Sequence, residues 1–302
     1  MGTPEFAVPS LDILLKNGYE IPAVVTVPDR KKGRGLQESY SDVKSYALEK
    51  GLRVLQPEKL KDEEFVQALK DIAPDVIVVV AFRILPKEVY TIPKLGSFNL
   101  HASLLPKYRG AAPINWALIN GETETGVTTF FLQDKVDTGN VILQKKVKID
   151  EDDTAGTLHN KLAFIGKEAV LETVRKIEAG DVKIFPQDDA LASPAPKIFK
   201  DDCRIDWNQS AEKVYNFIRG LSPYPAAWTT LDGKNVKIFL GGETGMSSTN
   251  EPGTLVIDGK KIFVNTFNEW LEITELQIEG KKRIFAPDFV NGLRETEGLR
   301  FI

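Results

Sequence analysis

Asp75-Val76-Ile77-Val78-Val79-Val80-Ala81-Phe82 is the stretch whose reading decides the fold. Its apolar core, residues 76–82, shows no polar alternation and falls well short of the roughly 18 apolar residues that suggest a membrane span. Such a run is a strand buried on both faces, and strands of that kind belong to parallel sheets covered by helices. The residues before it agree. Strand-like segments at 21–27 and 52–55 alternate with helical ones at 41–50 and about 62–71, the first of these stopped by Gly51. This βαβα order predicts an α/β fold with a Rossmann-like, mostly parallel sheet. Gly2-Thr3-Pro4-Glu5 reads as a helix start, with Thr3 as cap and Pro4 at the first helical position. A sheet of this type opens with a strand, so the expectation is a sheet whose first strand is missing from the chain and whose stability suffers for it.

Outward from the central strand, the chain reaches Phe98-Asn99-Leu100-His101-Ala102-Ser103-Leu104-Leu105-Pro106-Lys107-Tyr108-Arg109-Gly110. In a strand, residues i and i+2 share a face, so Asn99 and His101 project together while Phe98 and Leu100 pack on the other side. Carboxyl ends of strands in open α/β sheets are where ligands bind. Asp137 lies in a glycine-containing loop, residues 133–139, between two further strands at 127–132 and 141–149. An amide donates to an oxygen that becomes negative, a histidine moves a proton near neutral pH, and a carboxylate beside it orients the ring. The trio therefore suits attack by an external nucleophile on a carbonyl; the competing reading is a capped strand end with an ordinary Asx turn. Ser103 lies outside any Gly-x-Ser-x-Gly turn, so a hydrogen bond within the loop suits it better than nucleophilic attack. Lys107 and Arg109 either bind an anion or are solvated. His159 falls inside a helix and reads as structural. The cationic loop with Arg30, Lys31, Lys32 and Arg34 is either solvated or approaches phosphate, since glycines flank Arg34. No Gly-x-Gly-x-x-Gly follows a strand, which disfavours a nucleotide cofactor.

Composition narrows the classes further. The 302 residues allow about two domains, and a net charge of −4 excludes a protein that coats nucleic acid everywhere, though not a local basic patch. One cysteine and two histidines leave little for a zinc site, so no metal is expected. Without a signal peptide or membrane segment the expected location is cytoplasmic. Asp153 or Thr154 caps a long helix at 156–178. From Pro186 the sequence reads as an exposed linker, and beyond a helix at 211–219 short strands are broken by Asp232-Gly233, Pro252-Gly253 and Asp258-Gly259, as in a small barrel or sandwich. The expected division is a catalytic domain at 1–183, a linker at 184–200 and a β domain at 201–302.

Taken in order, Gly2-Thr3-Pro4-Glu5-Phe6, Pro28-Asp29-Arg30 with Gly33-Arg34-Gly35, Asn99-Leu100-His101, Ser103-Leu104-Leu105-Pro106 with Arg109-Gly110-Ala111-Ala112-Pro113-Ile114, Glu124-Thr125-Gly126-Val127-Thr128, Asp137-Thr138-Gly139 and Arg204-Ile205-Asp206-Trp207 resemble the 10-formyltetrahydrofolate-dependent formyltransferases, specifically those acting on methionyl-tRNA. The resemblance implies that Asn99, His101 and Asp137 are catalytic. It implies that Ser103, Leu104, Leu105 and Pro106, with Phe82 and Leu85 nearby, line the site of a 10-formyltetrahydrofolate co-substrate. Arg30, Lys31, Lys32 and Arg34 would reach the acceptor stem of methionyl-initiator-tRNA, and the second domain would be an OB-like barrel touching the same tRNA. A monomer without metal is expected. Two departures stand out beside the missing strand: Lys31-Lys32 replaces a Pro-Ala pair, and the segment from Phe82 to Pro86 is one residue short. The rival is a formyltransferase acting on a sugar-nucleotide amine, whose Asn-x-His and Asp-x-Gly elements are shared.

Overall fold

The computed structural model describes every residue except 33–36 and 294–296. A 3-10 turn, Glu5–Ala7, leads into α1 (Val8–Lys16), β1 (Val24–Val25), β2 (Arg30–Lys32), β3 (Gln37–Ser39), α2 (Asp42–Glu49), β4 (Val54–Leu55), α3 (Glu63–Ile72) and β5 (Ile77–Val80). Then come α4 (Lys87–Tyr90), β6 (Ser97–His101), β7 (Arg109–Gly110), α5 (Pro113–Ile119), β8 (Glu124–Phe131), β9 (Val141–Lys148), α6 (Ala155–Glu178) and β10 (Pro194–Ala195). The chain closes with α7 (Ala211–Leu221), β11 (Ala227–Leu231), β12 (Lys234–Ser247), β13 (Leu255–Asp258), β14 (Lys261–Asn265), β15 (Glu269–Ile278), β16 (Ile284–Phe285) and α8 (Ala286–Asn291). Two compact units result: one of Met1–Gly110, Thr125–Val147 and His159–Ala195, the other of Ala111–Glu124, Lys148–Leu158 and Pro196–Ile302.

The first unit carries the parallel sheet. β5 pairs in parallel with β6, with Val79 opposite Asn99; β6 pairs antiparallel with β8, and β9 lies beyond it. On the other side β1 pairs in parallel with β4. Met1 and Gly2 join the two halves, because the Gly2 N–H donates to the Val25 carbonyl at 3.0 Å and the Val80 N–H to the Met1 carbonyl at 2.9 Å. The Met1 amine donates to the Val78 carbonyl at 2.7 Å, and burial pushes its pKa down to about 5 because a charged ammonium loses hydration there. Phe98 and Leu100 are buried on one face of β6, and Phe130 of β8, also buried, lies opposite Asn99.

Three local expectations need correction. The strand at 21–27 shrinks to Val24–Val25: Val24 and Thr26 donate toward β4, while Pro22 has no N–H to offer a ladder. Thr3 caps nothing; Pro4 precedes a 3-10 turn without a side-chain cap, and the α-helix begins only at Val8. The cationic segment is not a plain loop, since Arg30↔Ser39, Lys31↔Glu38 and Lys32↔Gln37 form an antiparallel hairpin. Its base is tied down at Asp29, which accepts from Lys44 and, at 2.9 Å, from Gln56. The Lys44 ammonium holds the Asp29 carboxyl below the usual carboxylate range.

In the second unit, strands run in the order β11-β12-β15-β14-β13, with β16 also on β15, and all these pairs are antiparallel. Such an open row leaves unpaired edges. Residues 299–302 cover both: the Leu255 N–H donates to the Leu299 carbonyl at 2.9 Å and the Phe301 N–H to Gly253 at 2.8 Å, while Thr230 and Ile302 exchange two bonds at 3.0 Å. The C-terminal segment thus closes the sheet into a barrel-like layer. Ser210 caps α7 by accepting from the Lys213 N–H, and the helix runs to Leu221 because Val214, Ile218 and Leu221 bury one face in the β core.

Candidate active site

β6 delivers both polar side chains of its last turn of sequence to one face. His101 lies opposite Thr128 and Asn99 opposite Phe130 on β8. Asn99 is half-buried, so its amide keeps access to solvent while its strand is locked on both sides. His101 is buried, with Nε2 2.8 Å from the Tyr108 carbonyl oxygen. A carbonyl only accepts, so Nε2 carries a hydrogen and Nδ1 is the nitrogen left to face the site. That Nδ1 faces Asp137 Oδ2 at 3.8 Å. The same carboxylate oxygen accepts from the Gly110 N–H at 2.9 Å, which fixes its direction.

Asp137 sits at φ +55°, in the left-handed region. For a non-glycine residue this conformation costs of order 1–3 kcal/mol and persists only where the surroundings enforce it. Two residues on, Gly139 permits no side chain, because a Cβ there would lie 1.7 Å from the Phe131 carbonyl oxygen. The turn that presents the carboxylate therefore packs directly on the end of β8.

The segment after His101 is scaffolded by polar contacts. Ser103 is fully buried and donates to the Lys107 carbonyl at 2.6 Å, the loop-internal bond expected of it. Thr128 Oγ1 donates to the Ser103 carbonyl at 2.6 Å and accepts from the Leu105 N–H at 3.0 Å. Gln144 donates to the Leu105 carbonyl at 2.8 Å. Leu104 and Pro106 remain half-buried on this braced loop and Leu105 is buried. Phe82 and Leu85 pack in an apolar cluster with Val25, Leu60 and Val79, where Arg83 pins the segment by donating to the Pro57 and Glu58 carbonyls.

Of the cationic residues, Arg34 lies outside the described residues, and Arg30, Lys31 and Lys32 are placed here only as the backbone of β2. Arg109 is engaged within the unit, donating to Gln187 and Asp189, so the anion reading of that side chain gives way to an internal one. His159 is structural, its ring edge-on to Phe6 at 5.2 Å. The second unit contains a cleft of about 690 Å³ whose lining includes Lys197, Lys200, Lys237, Asn235, Tyr224 and Trp228, a mixture of cations, amides and aromatic faces suited to phosphates and bases. Among the described residues no group of three or more His, Cys, Asp or Glu could hold a metal, and no helix is long and apolar enough to cross a membrane. Sequence reasoning missed Gln187, Thr128, Gln144 and the Tyr108 carbonyl; the Thr-Thr pair in a β-branched strand is the only one with a local signal.

Residues 1–174 match the formyl transferase family and residues 197–294 the formyl transferase C-terminal domain. A methionyl-tRNA formyltransferase of Bacteroides thetaiotaomicron is 52% identical over 310 residues, covering 99% of this chain and 96% of that protein. One of Chlorobium phaeovibrioides is 50% identical over 307 residues, covering 100% and 96%. Among solved structures, a sugar 3N-formyl transferase superposes with a TM-score of 0.68 at 22% identity, covering 93% of this chain and 97% of that one. HypX from Aquifex aeolicus, in complex with tetrahydrofolic acid, gives 0.61 at 22% identity, covering 81% and 43%. At such identities the last two speak for the fold alone.

Proposed function

The chain belongs to the methionyl-tRNA formyltransferases of the formyl transferase family, and from that premise we propose that Asn99, His101 and Asp137 carry its reaction. The enzyme transfers the formyl group of 10-formyltetrahydrofolate to the α-amine of methionyl-initiator-tRNA. The observation that supports the assignment is the facing of His101 Nδ1 and Asp137 Oδ2 at 3.8 Å on the side of β6 that also bears Asn99.

In this reading the neutral α-amine attacks the formyl carbon, and a new C–N bond forms as the carbonyl electrons move to oxygen. The Asn99 amide, together with His101 Nδ1–H, donates to that oxyanion; a single donor of this kind contributes about 3–4 kcal/mol to the transition state. Asp137 orients His101 and takes the proton released by the amine. Collapse of the intermediate breaks the bond from carbon to N10, which receives the proton held by Asp137 as tetrahydrofolate leaves, so the carboxylate is restored. No group of the chain is acylated. Ser103, Leu104, Leu105 and Pro106, with Phe82 and Leu85, form the folate side of the site, and Arg30, Lys31 and Lys32 of β2, together with Arg34, meet the tRNA acceptor stem. The second domain, within 201–302 and joined to a catalytic domain at 1–183 through 184–200, contributes a further tRNA surface; a cleft lined by Lys237 of this domain and by Lys197 and Lys200 of the connecting segment supports it. The enzyme acts as a cytoplasmic monomer.

The test is steady-state formylation by Asn99→Ala. Turnover is expected to fall about 10²- to 10³-fold with the KM for 10-formyltetrahydrofolate near wild type. A large rise in that KM with turnover intact would make Asn99 a folate-binding residue and overturn its assignment.

A further inference from the structure

We propose that Gln187 is a positioning residue for Asp137, and that the segment 187–195 is a strap that sets the geometry of the His101–Asp137 pair. The inference rests on the reading of Asp137 as catalytic. It begins from the left-handed backbone at Asp137, which needs external support to persist.

Gln187 supplies that support. Its Nε2 donates to the carbonyl of Asp137 at 2.9 Å and to that of Gly139 at 2.8 Å, so both hydrogens of the amide bracket the turn. Its Oε1 accepts from Arg109 Nε at 3.1 Å and Nη2 at 2.8 Å. Both donors and both lone pairs of the amide are used, and the fork of the guanidinium forbids the flipped orientation. Asp189 holds Arg109 Nη2 at 2.8 Å from the other side.

The rest of the strap grips the segment that holds His101. The Tyr108 N–H donates to Ser193 Oγ and the Arg109 N–H to the Ser193 carbonyl, each at 2.9 Å. β10 pairs in parallel with β7 through Pro194↔Arg109 and Ala195↔Gly110. At Gly110, with φ +131°, a Cβ would lie 2.4 Å from the Ala195 carbonyl oxygen, so the two backbones touch. Tyr108 and Gly110 in turn make the two contacts that aim the pair, the carbonyl bond to His101 Nε2 and the amide bond to Asp137 Oδ2. One strap thus holds the catalytic carboxylate from its backbone side and the imidazole from its far nitrogen.

The experiment is a double-mutant cycle on the full chain. Gln187→Leu removes all four bonds; Gln187→Glu keeps size and the Arg109 contact but cannot donate to the two carbonyls. For each, turnover with methionyl-tRNA is expected to fall about 10- to 100-fold, the scale for displacing a catalytic group through its supporting shell. The KM for 10-formyltetrahydrofolate and the melting temperature are expected to stay near wild type. In an Asp137→Asn background, Gln187→Leu should change turnover by less than about two-fold, because both act on one group. Full multiplication of the two effects, unchanged turnover in the Gln187 variants, or a joint collapse of KM and melting temperature would each overturn the proposal. Wild-type turnover in Asp137→Asn alone would instead remove the underlying assignment of Asp137.

Discussion

Replacing Phe301 by alanine should unfasten the second unit at its closing seam. The ring is 1% exposed and stacks on Trp207 with centroids 5.7 Å apart and planes 19° from parallel. Its own N–H holds Gly253, and its neighbour Ile302 exchanges bonds with Thr230. The ring therefore anchors the residues that join β13 to β11. A buried aromatic removes about 150–250 Å² from water; at about 25 cal/mol per Å² the part lost in truncation to alanine is about 3–4 kcal/mol, and the stack adds about 1 kcal/mol. Phe→Ala in cores typically costs about 3–5 kcal/mol, so the two routes agree. Against the usual total of about 5–15 kcal/mol for a folded protein, this is a severe loss. Urea denaturation followed by tryptophan fluorescence isolates it, because all four tryptophans, Trp116, Trp207, Trp228 and Trp270, belong to this unit. With a slope of about 2 kcal/mol per M, the midpoint should fall by about 2 M. Phe301→Leu, which keeps most of the apolar volume, should cost only about 1–1.5 kcal/mol. A midpoint shift under about 0.5 M for the alanine variant would refute the reasoning, since it would mean that the seam bears no more of the fold than an exposed side chain does.

Two further outcomes follow from charge. Partial desolvation, reinforced by Glu212 and Glu269, pushes the Glu243 carboxyl up even though the residue is exposed; the unfolded chain then releases that proton first as pH rises, and stability falls across the interval. Glu243→Gln should therefore melt higher than wild type at pH 7, by under about 1 kcal/mol because the group is largely screened by solvent. The advantage should vanish below about pH 4, and an equal gain at both pH values would refute it. Arg34→Ala should weaken tRNA binding and lower its salt slope by about one unit without changing folate affinity; filter binding across a salt series that returns the wild-type slope would take Arg34 out of the tRNA interface.

What the sequence discloses depends on whether the determining partner is local. Residues 76–82 announce a doubly buried strand because burial on both faces erases polar alternation, and β5 lies between Met1–Gly2 and β6 accordingly. Asn99 and His101 share a face for the equally local reason that a strand has a period of two. The hairpin at Arg30–Lys32 and Gln37–Ser39 escapes such reading, since cations and glycines look alike in a loop and in a paired ribbon, and only the register separates them. The deeper omission is Gln187. Residues 184–200 read as an exposed linker from their proline and aspartate content, and most of the side chains there are indeed solvated. Yet Gln187 bonds to carbonyls 50 and 48 positions away in sequence, and every residue type has a carbonyl. A side chain that recognises backbone leaves no complementary residue behind, so no pattern of charge or hydrophobicity could pair it with Asp137. Arg109 is hidden differently: its partners Gln187 and Asp189 lie 78 and 80 positions downstream, and only the β7–β10 pairing brings them within reach. Polar groups such as Asn99 and His101 are legible when their strand presents them, whereas side chains such as Gln187 that bond to distant backbone become visible only once the chain has closed.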